Sequence, residues 1–69
     1  MEIQYSANTP DNFRYRVVLW TYPNILNSDF WYVHDTKKNT FRKIGKVGAT
    51  RTNYFDNAVK FCEDKQNQL

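Results

Sequence analysis

The stretch that decides the fold reads Asp29-Phe-Trp-Tyr-Val-His-Asp-Thr-Lys-Lys-Asn-Thr-Phe-Arg-Lys-Ile-Gly-Lys-Val-Gly48, followed by Ala49-Thr-Arg-Thr-Asn-Tyr-Phe-Asp-Asn-Ala-Val-Lys-Phe-Cys62. Its first part predicts a β-hairpin: an aromatic strand over 30–35, a turn at 36–39 whose Asn39 tolerates positive φ, and a strand over 40–47. Its second part predicts a helix over 52–66. Thr52 or Asn53 would cap this helix, and Asp56 would place a carboxylate in its positive first turn.

A third strand is predicted before this hairpin, over residues 13–22, because aromatic and β-branched residues dominate there. Alternation divides this strand into one face with Phe13, Tyr15, Val17 and Leu19, and another with Arg14, Arg16, Val18, Trp20 and Tyr22. Pro23 ends the strand because it cannot donate to a sheet ladder. Residues 1–12 contain the turn-like run Asn8-Thr-Pro-Asp-Asn and predict an N-terminal arm or a short edge strand.

These elements predict a single α+β domain over residues 1–69, with two layers in the order βββα. A three-stranded antiparallel sheet over 13–47 would carry the C-terminal helix on one face, leaving the other face open. The helix would bury the stripe formed by Phe55, Ala58, Val59 and Cys62.

Two apolar segments need separate explanations in this scheme. Phe41 and Val47 share strand parity while Ile44 does not, so a bulge at Gly45 is predicted to turn both apolar sets inward. Ile25 and Leu26 lie in the connection after Pro23. They either plug one end of the core or form a protruding apolar tip.

Composition and charge favour a small binding protein. A chain of 69 residues allows only one small core, and 17% of it is aromatic. These rings either fill that core or belong in part to a binding surface. The formal net charge is +3. Much of the chain's positive charge lies in residues 37–51, which contain no Asp or Glu. The basic residues of this window are Lys37, Lys38, Arg42, Lys43, Lys46 and Arg51.

The residues that carry enzyme or cofactor chemistry do not converge in this sequence. Cys62, the single cysteine, excludes an internal disulfide and belongs to the apolar helix stripe. His34 is expected to be an exposed sheet residue, and its neighbour Asp35 points to the opposite face. The sequence has no metal-ligand cluster and no phosphate-binding glycine loop. We therefore expect neither enzymatic activity nor a cofactor or metal ion.

The N-terminus lacks a signal-peptide pattern, and no segment approaches the ~20 apolar residues of a membrane span. The expected location is therefore the cytoplasm, without membrane contact.

The remaining candidate site combines basic and aromatic residues on the open sheet face and the hairpin. It consists of Arg14, Arg16, Trp20, Tyr32, Lys37, Lys38, Arg42 and Lys43. Cations for phosphates and rings for stacking favour nucleic-acid binding. Trp, Tyr and Arg equally dominate protein interfaces, so a viral protein that inhibits a host defence or nucleic-acid-processing complex is the alternative. A homodimer that covers the exposed face is also compatible with this composition.

Residues 31–62 resemble the amino-terminal arm-site DNA-binding domain of lambda-type phage integrases. The resemblance is carried by the strand Trp31-Tyr-Val, the turn Asp35-Thr-Lys-Lys-Asn, the strand end Ile44-Gly-Lys-Val-Gly and Ala58 inside the helix. It implies a three-stranded sheet that enters the DNA major groove, with Lys37, Lys38, Arg42 and Lys43 as groove and phosphate contacts. More generally, a basic and aromatic chain of this size is similar to small phage accessory proteins.

Overall fold

The computed structural model describes residues 2–22, 24–25, 28–48 and 53–69, which form four strands and one helix. The elements are β1 Glu2–Tyr5, β2 Tyr15–Thr21, β3 Phe30–Asp35, β4 Thr40–Lys46 and α1 Tyr54–Asn67. The strands form one antiparallel sheet in the order β1-β2-β3-β4. The α+β class with a C-terminal helix is confirmed, but the predicted number of three strands was wrong. No helix in this described part is long and apolar enough to cross a membrane.

The additional strand is β1. It lies within residues 1–12, for which the sequence predicted either an N-terminal arm or a short edge strand. It pairs with β2 in a register that places Tyr5 opposite Val18. The ladder ends at Ser6, whose backbone N–H donates to the Val17 carbonyl at 2.9 Å. Beyond this point Thr9 is fully buried and its Oγ1 accepts from the Val17 N–H at 2.9 Å. A side chain thus replaces the ladder where β1 stops.

The core lies between the sheet and α1. Val17, Val33, Ala58 and Cys62 are its buried residues, and the stripe predicted for the helix is confirmed. Seven partly buried residues pack around them: Phe13, Tyr15, Trp31, Ile44, Phe55, Val59 and Phe61. The helix begins after Asn53, whose Oδ1 accepts from the Asp56 N–H at 3.2 Å. Asn53 is therefore the N-cap, whereas the alternative cap Thr52 lies outside the described residues.

The β3–β4 hairpin contains the predicted turn and an irregularity next to Gly45. Asn39 has φ 54°, as the turn requires. Tyr32 pairs with Lys43 and Trp31 with Gly45, so Ile44 is the extra residue of a bulge. A side chain at Gly45 would collide with the Tyr54 ring, which explains a glycine at this position.

The prediction that the bulge turns both apolar sets inward was wrong. Ile44 packs against the core on the helix side, but Phe41 stacks on His34 on the opposite face. Strand parity before the bulge decides this, because Phe41 pairs with His34 while the next residue, Arg42, pairs with Val33 of the core.

The connection between β2 and β3 exposes an apolar side chain. Ile25 is 58% exposed and therefore does not plug the core. Leu26, predicted to act with it, lies outside the described residues.

Candidate functional site

The sheet face opposite α1 is dominated by rings, and we call it the aromatic face. Strand alternation and register assign to it Ile3, Tyr5, Arg16, Val18, Trp20, Phe30, Tyr32, His34, Phe41, Lys43 and Lys46. No helix covers this face in the described part of the chain, yet Val18 is completely buried. The large side chains around Val18 therefore form a thin second apolar layer.

The rings in the centre of the aromatic face pack on one another. Trp20 lies on Tyr32 with ring centroids 4.7 Å apart, and it meets Phe41 edge to face at 5.1 Å. Phe41 stacks in parallel on His34 at 4.2 Å. Such ring pairs contribute about 0.5–1.5 kcal/mol each beyond their buried area. The four rings form a continuous cluster across β2, β3 and β4.

His34 is the buried anchor of this cluster. It is only 6% exposed, so the expectation of an exposed sheet residue was wrong. The Tyr5 hydroxyl lies 2.8 Å from Nδ1, and Asn39 Oδ1 lies 2.9 Å from Nε2. A neutral ring with its proton on Nε2 satisfies both bonds, with Tyr5 donating and Asn39 accepting. The imidazole thereby joins β1 to the β3–β4 turn.

Positive side chains surround the rings on the same face. The Arg16 guanidinium lies 4.3 Å from the Tyr5 ring centroid, and its Nε donates to the Thr9 carbonyl at 2.8 Å. The Lys43 ammonium lies 3.8 Å from the Phe30 ring centroid. Lys43 and Lys46 are exposed, so their charges are available to a ligand.

The hairpin turn presents two further lysines, and Asp35 fixes its backbone. Asp35 Oδ1 accepts from the backbone N–H groups of Lys37 and Lys38 at 3.1 and 3.2 Å. Arg14 donates to the two Asp35 oxygens from Nε and Nη2, both at 3.1 Å. Hydrogen bonding to Arg14 is the main reason that the pKa of Asp35 falls to about 2. Lys37 and Lys38 themselves are exposed.

The structure separates the eight predicted site residues into two groups. Arg16, Trp20, Tyr32 and Lys43 lie on the aromatic face, with Lys37 and Lys38 at the end of the hairpin. Arg14 pairs with Asp35 at 3.1 Å, so part of its hydrogen-bonding capacity is used within the fold. Arg42 lies on the helix side, with its guanidinium 5.7 Å from the Phe61 ring centroid. Strand alternation alone could have separated Arg42 from Lys43.

Several residues of the aromatic face were missing from the predicted site. Phe30 and Phe41 share parity with Tyr32 and Lys43, which is a signal present in the sequence. Tyr5 had no such signal, because its place depends on the pairing of β1 with β2. The Trp20 indole Nε1 is buried and has no hydrogen-bond partner among the described residues. Ring packing therefore holds Trp20 in place.

Among the described residues, the cysteine and the histidine lie on opposite sides of the sheet. Cys62 is fully buried in the core, and burial raises the pKa of its thiol to about 11. Its neighbour Val33 faces the helix, whereas His34 faces the other side of the sheet. Across residues 2–22, 24–25, 28–48 and 53–69, no group of three His, Cys, Asp or Glu side chains could hold a metal ion.

Comparison with known proteins gives no relative for this chain: no family model, no curated protein and no solved structure matches it.

Proposed function

We propose that this chain is a non-catalytic binding module that contacts single-stranded nucleic acid through the aromatic face and the hairpin turn. The proposal rests on one observation: the ring cluster of Trp20, Tyr32 and Phe41 shares its face with the exposed Lys43 and Lys46. Sequence-tolerant binders of single strands combine aromatic platforms for bases with cations that follow the backbone. The proposed site of action is the cytoplasm, where the chain would meet nucleic acid.

A single strand suits this surface better than a duplex. Four strands spaced about 4.8 Å apart span about 14 Å before side chains are added. The major groove is about 12 Å wide and admits a helix or a two-stranded ribbon. The presence of β1 makes this sheet broader than the three-stranded sheet implied by the integrase resemblance. An unstacked strand can instead lie across the face.

Titration of labelled oligonucleotides, single-stranded and duplex with the same sequence, tests the proposal at low and moderate salt. We expect tighter binding of the single strand and weakening by salt, with a slope of about 0.7 for each phosphate contact. Lys37→Glu/Lys38→Glu should weaken binding and lower that slope. Lys60→Glu/Lys65→Glu changes the charge equally on α1 and serves as the control, with circular dichroism to verify folding. Absence of binding at low salt would refute the proposal.

The alternative, a viral inhibitor of a host protein, is favoured by one different observation. Ile25 lies in the β2–β3 connection with 58% of its surface exposed, so its apolar side chain is accessible to a protein partner. A pull-down from a candidate host lysate after nuclease treatment separates the two functions. Stoichiometric capture of one protein, lost in Ile25→Asp and retained in Lys37→Glu/Lys38→Glu, would favour the inhibitor. Phage origin is part of this alternative.

A further inference from the structure

The two edges of the sheet differ in how they are protected against further strand pairing. β4 is bulged and carries Arg42, Lys43 and Lys46, which are features that prevent an edge from pairing. β1 has neither a bulge nor a lysine, and all four of its residues are exposed. Within the described residues, the backbone of β1 pairs only with β2, and its one side-chain hydrogen bond to another strand joins Tyr5 to His34 on the inner side. It is therefore the edge at which another strand can be added.

The outward backbone groups of β1 follow from its pairing with β2. Ser6 donates to the Val17 carbonyl opposite it, so Ser6 belongs to a hydrogen-bonded pair. Such pairs alternate along an antiparallel ladder, which directs the N–H and C=O groups of Gln4 and Glu2 toward β2. The corresponding groups of Ile3 and Tyr5 therefore point away from the sheet. They are two donors and two acceptors on an exposed edge.

We propose that two copies of this chain pair antiparallel through β1, with Gln4 on the two-fold axis. In this register Ile3 lies opposite Tyr5 of the second copy, and all outward donors and acceptors of both residues are satisfied. The same pairing joins side chains that are 37% and 41% exposed in the single chain. Aromatic and β-branched residues stabilise each other across strands, so each Ile3 covers a Tyr5.

A second copy fits this edge better than an unrelated strand because the pairing is self-complementary in register and in charge. A two-fold contact places one surface patch against itself, which usually opposes like charges. Here the register sets Glu2 opposite Ser6 of the second copy, and β1 carries no other charge. The basic residues of β4 lie at the far edge, so the two positive regions remain apart. The two aromatic faces then lie on the same side of a continuous eight-stranded sheet.

Sedimentation velocity without nucleic acid tests this dimer independently of the proposed function. We expect the mass to rise from 8.3 kDa toward twice that value as the concentration approaches the millimolar range. Ile3→Pro removes an outward donor while leaving the inward bonds of β1 intact. It should raise the dissociation constant by at least about tenfold. A chain that stays monomeric at millimolar concentration would overturn the proposal.

Charge exchange at Gln4 tests the register itself. Gln4→Lys and Gln4→Glu each oppose like charges across the axis, so each variant alone should dimerise several-fold more weakly than the unchanged chain. An equimolar mixture places Lys opposite Glu and should recover the dimer. Amide exchange in β1 verifies that each variant keeps the β1–β2 ladder. If both single variants dimerise as strongly as the unchanged chain, β1–β1 pairing with Gln4 on the two-fold axis is excluded.

Discussion

At the scale of single residues, Asp35 gives Arg14, a basic residue of the predicted site, a structural role within the fold. Its carboxylate stands at the end of β3, where it accepts both from Arg14 and from the backbone of the following turn. Carboxylates often close turns in this way, because a short side chain can reach the next backbone N–H groups. Arg14 adds a bidentate pair that links the start of β2 to this turn. The positive charge of Arg14, which the sequence assigned to a ligand site, is thus paired with Asp35 inside the fold.

Replacing Asp35 should change how stability depends on pH. Because the pKa of Asp35 is lowered to about 2 in the folded chain, its stabilisation is complete above the ordinary carboxyl pKa of about 4 and is lost as pH falls toward 2. Asp35→Asn should therefore lower the urea midpoint at pH 7, and its difference from the unchanged chain should shrink below pH 4. Asp64→Asn, which removes an exposed carboxylate that has no side-chain hydrogen bond or ion pair among the described residues, is the control. A difference that is constant with pH would contradict this explanation.

At the scale of elements, local pattern identified the hairpin and the helix but not the role of β1. The strand over 30–35 agrees with β3, and Asn39 and Asn53 occupy their predicted turn and cap positions. These features depend on neighbouring residues and can be read from short windows. β1 is four residues long and exposed, so its pattern carries little hydrophobic signal.

The Tyr5–His34 contact and the burial of His34 depend on β1, so the sequence did not predict them either. The pairing of β1 with β2 brings Tyr5 to a residue 29 positions away and buries His34. The destination of Phe41 was predicted wrongly for a related reason. Strand alternation shows which residues share a face of the sheet, but it does not show which face is covered. Here rings from three strands cover the face opposite α1, where the described residues form no helix.

The contact between β1 and His34 gives a prediction at this scale. Tyr5→Phe removes the hydroxyl that bonds Nδ1 and leaves a buried ring nitrogen unsatisfied, at a cost of about 1–3 kcal/mol. Amide hydrogen exchange should accelerate most in β1, because among the described residues its backbone pairs only with β2 and the lost bond ties it to β3. Tyr22→Phe, at a side chain that is 40% exposed, is the matched control. Equal acceleration in all four strands would show instead that the bond supports the whole sheet.

At the scale of the whole molecule, the sheet separates two chemically different sides. The helix side contains the apolar core, with the Arg42 side chain lying near Phe61 at its margin. The aromatic face has rings at its centre and Lys43 beside them. The net charge of +3 is therefore less informative than the face on which each cation lies. Two adjacent residues of β4 test this distinction directly.

Lys43→Gln and Arg42→Gln each remove one positive charge from an exposed residue of the same strand, but on opposite faces. If the aromatic face binds single-stranded nucleic acid, Lys43→Gln should weaken binding and lower the salt slope by about 0.7, because one phosphate contact is lost. Arg42→Gln should leave both quantities unchanged. The measurement is fluorescence anisotropy of a labelled single strand over a series of salt concentrations. Equal weakening by both variants would mean that attraction depends on net charge rather than on a defined face, since each variant lowers the net charge by one.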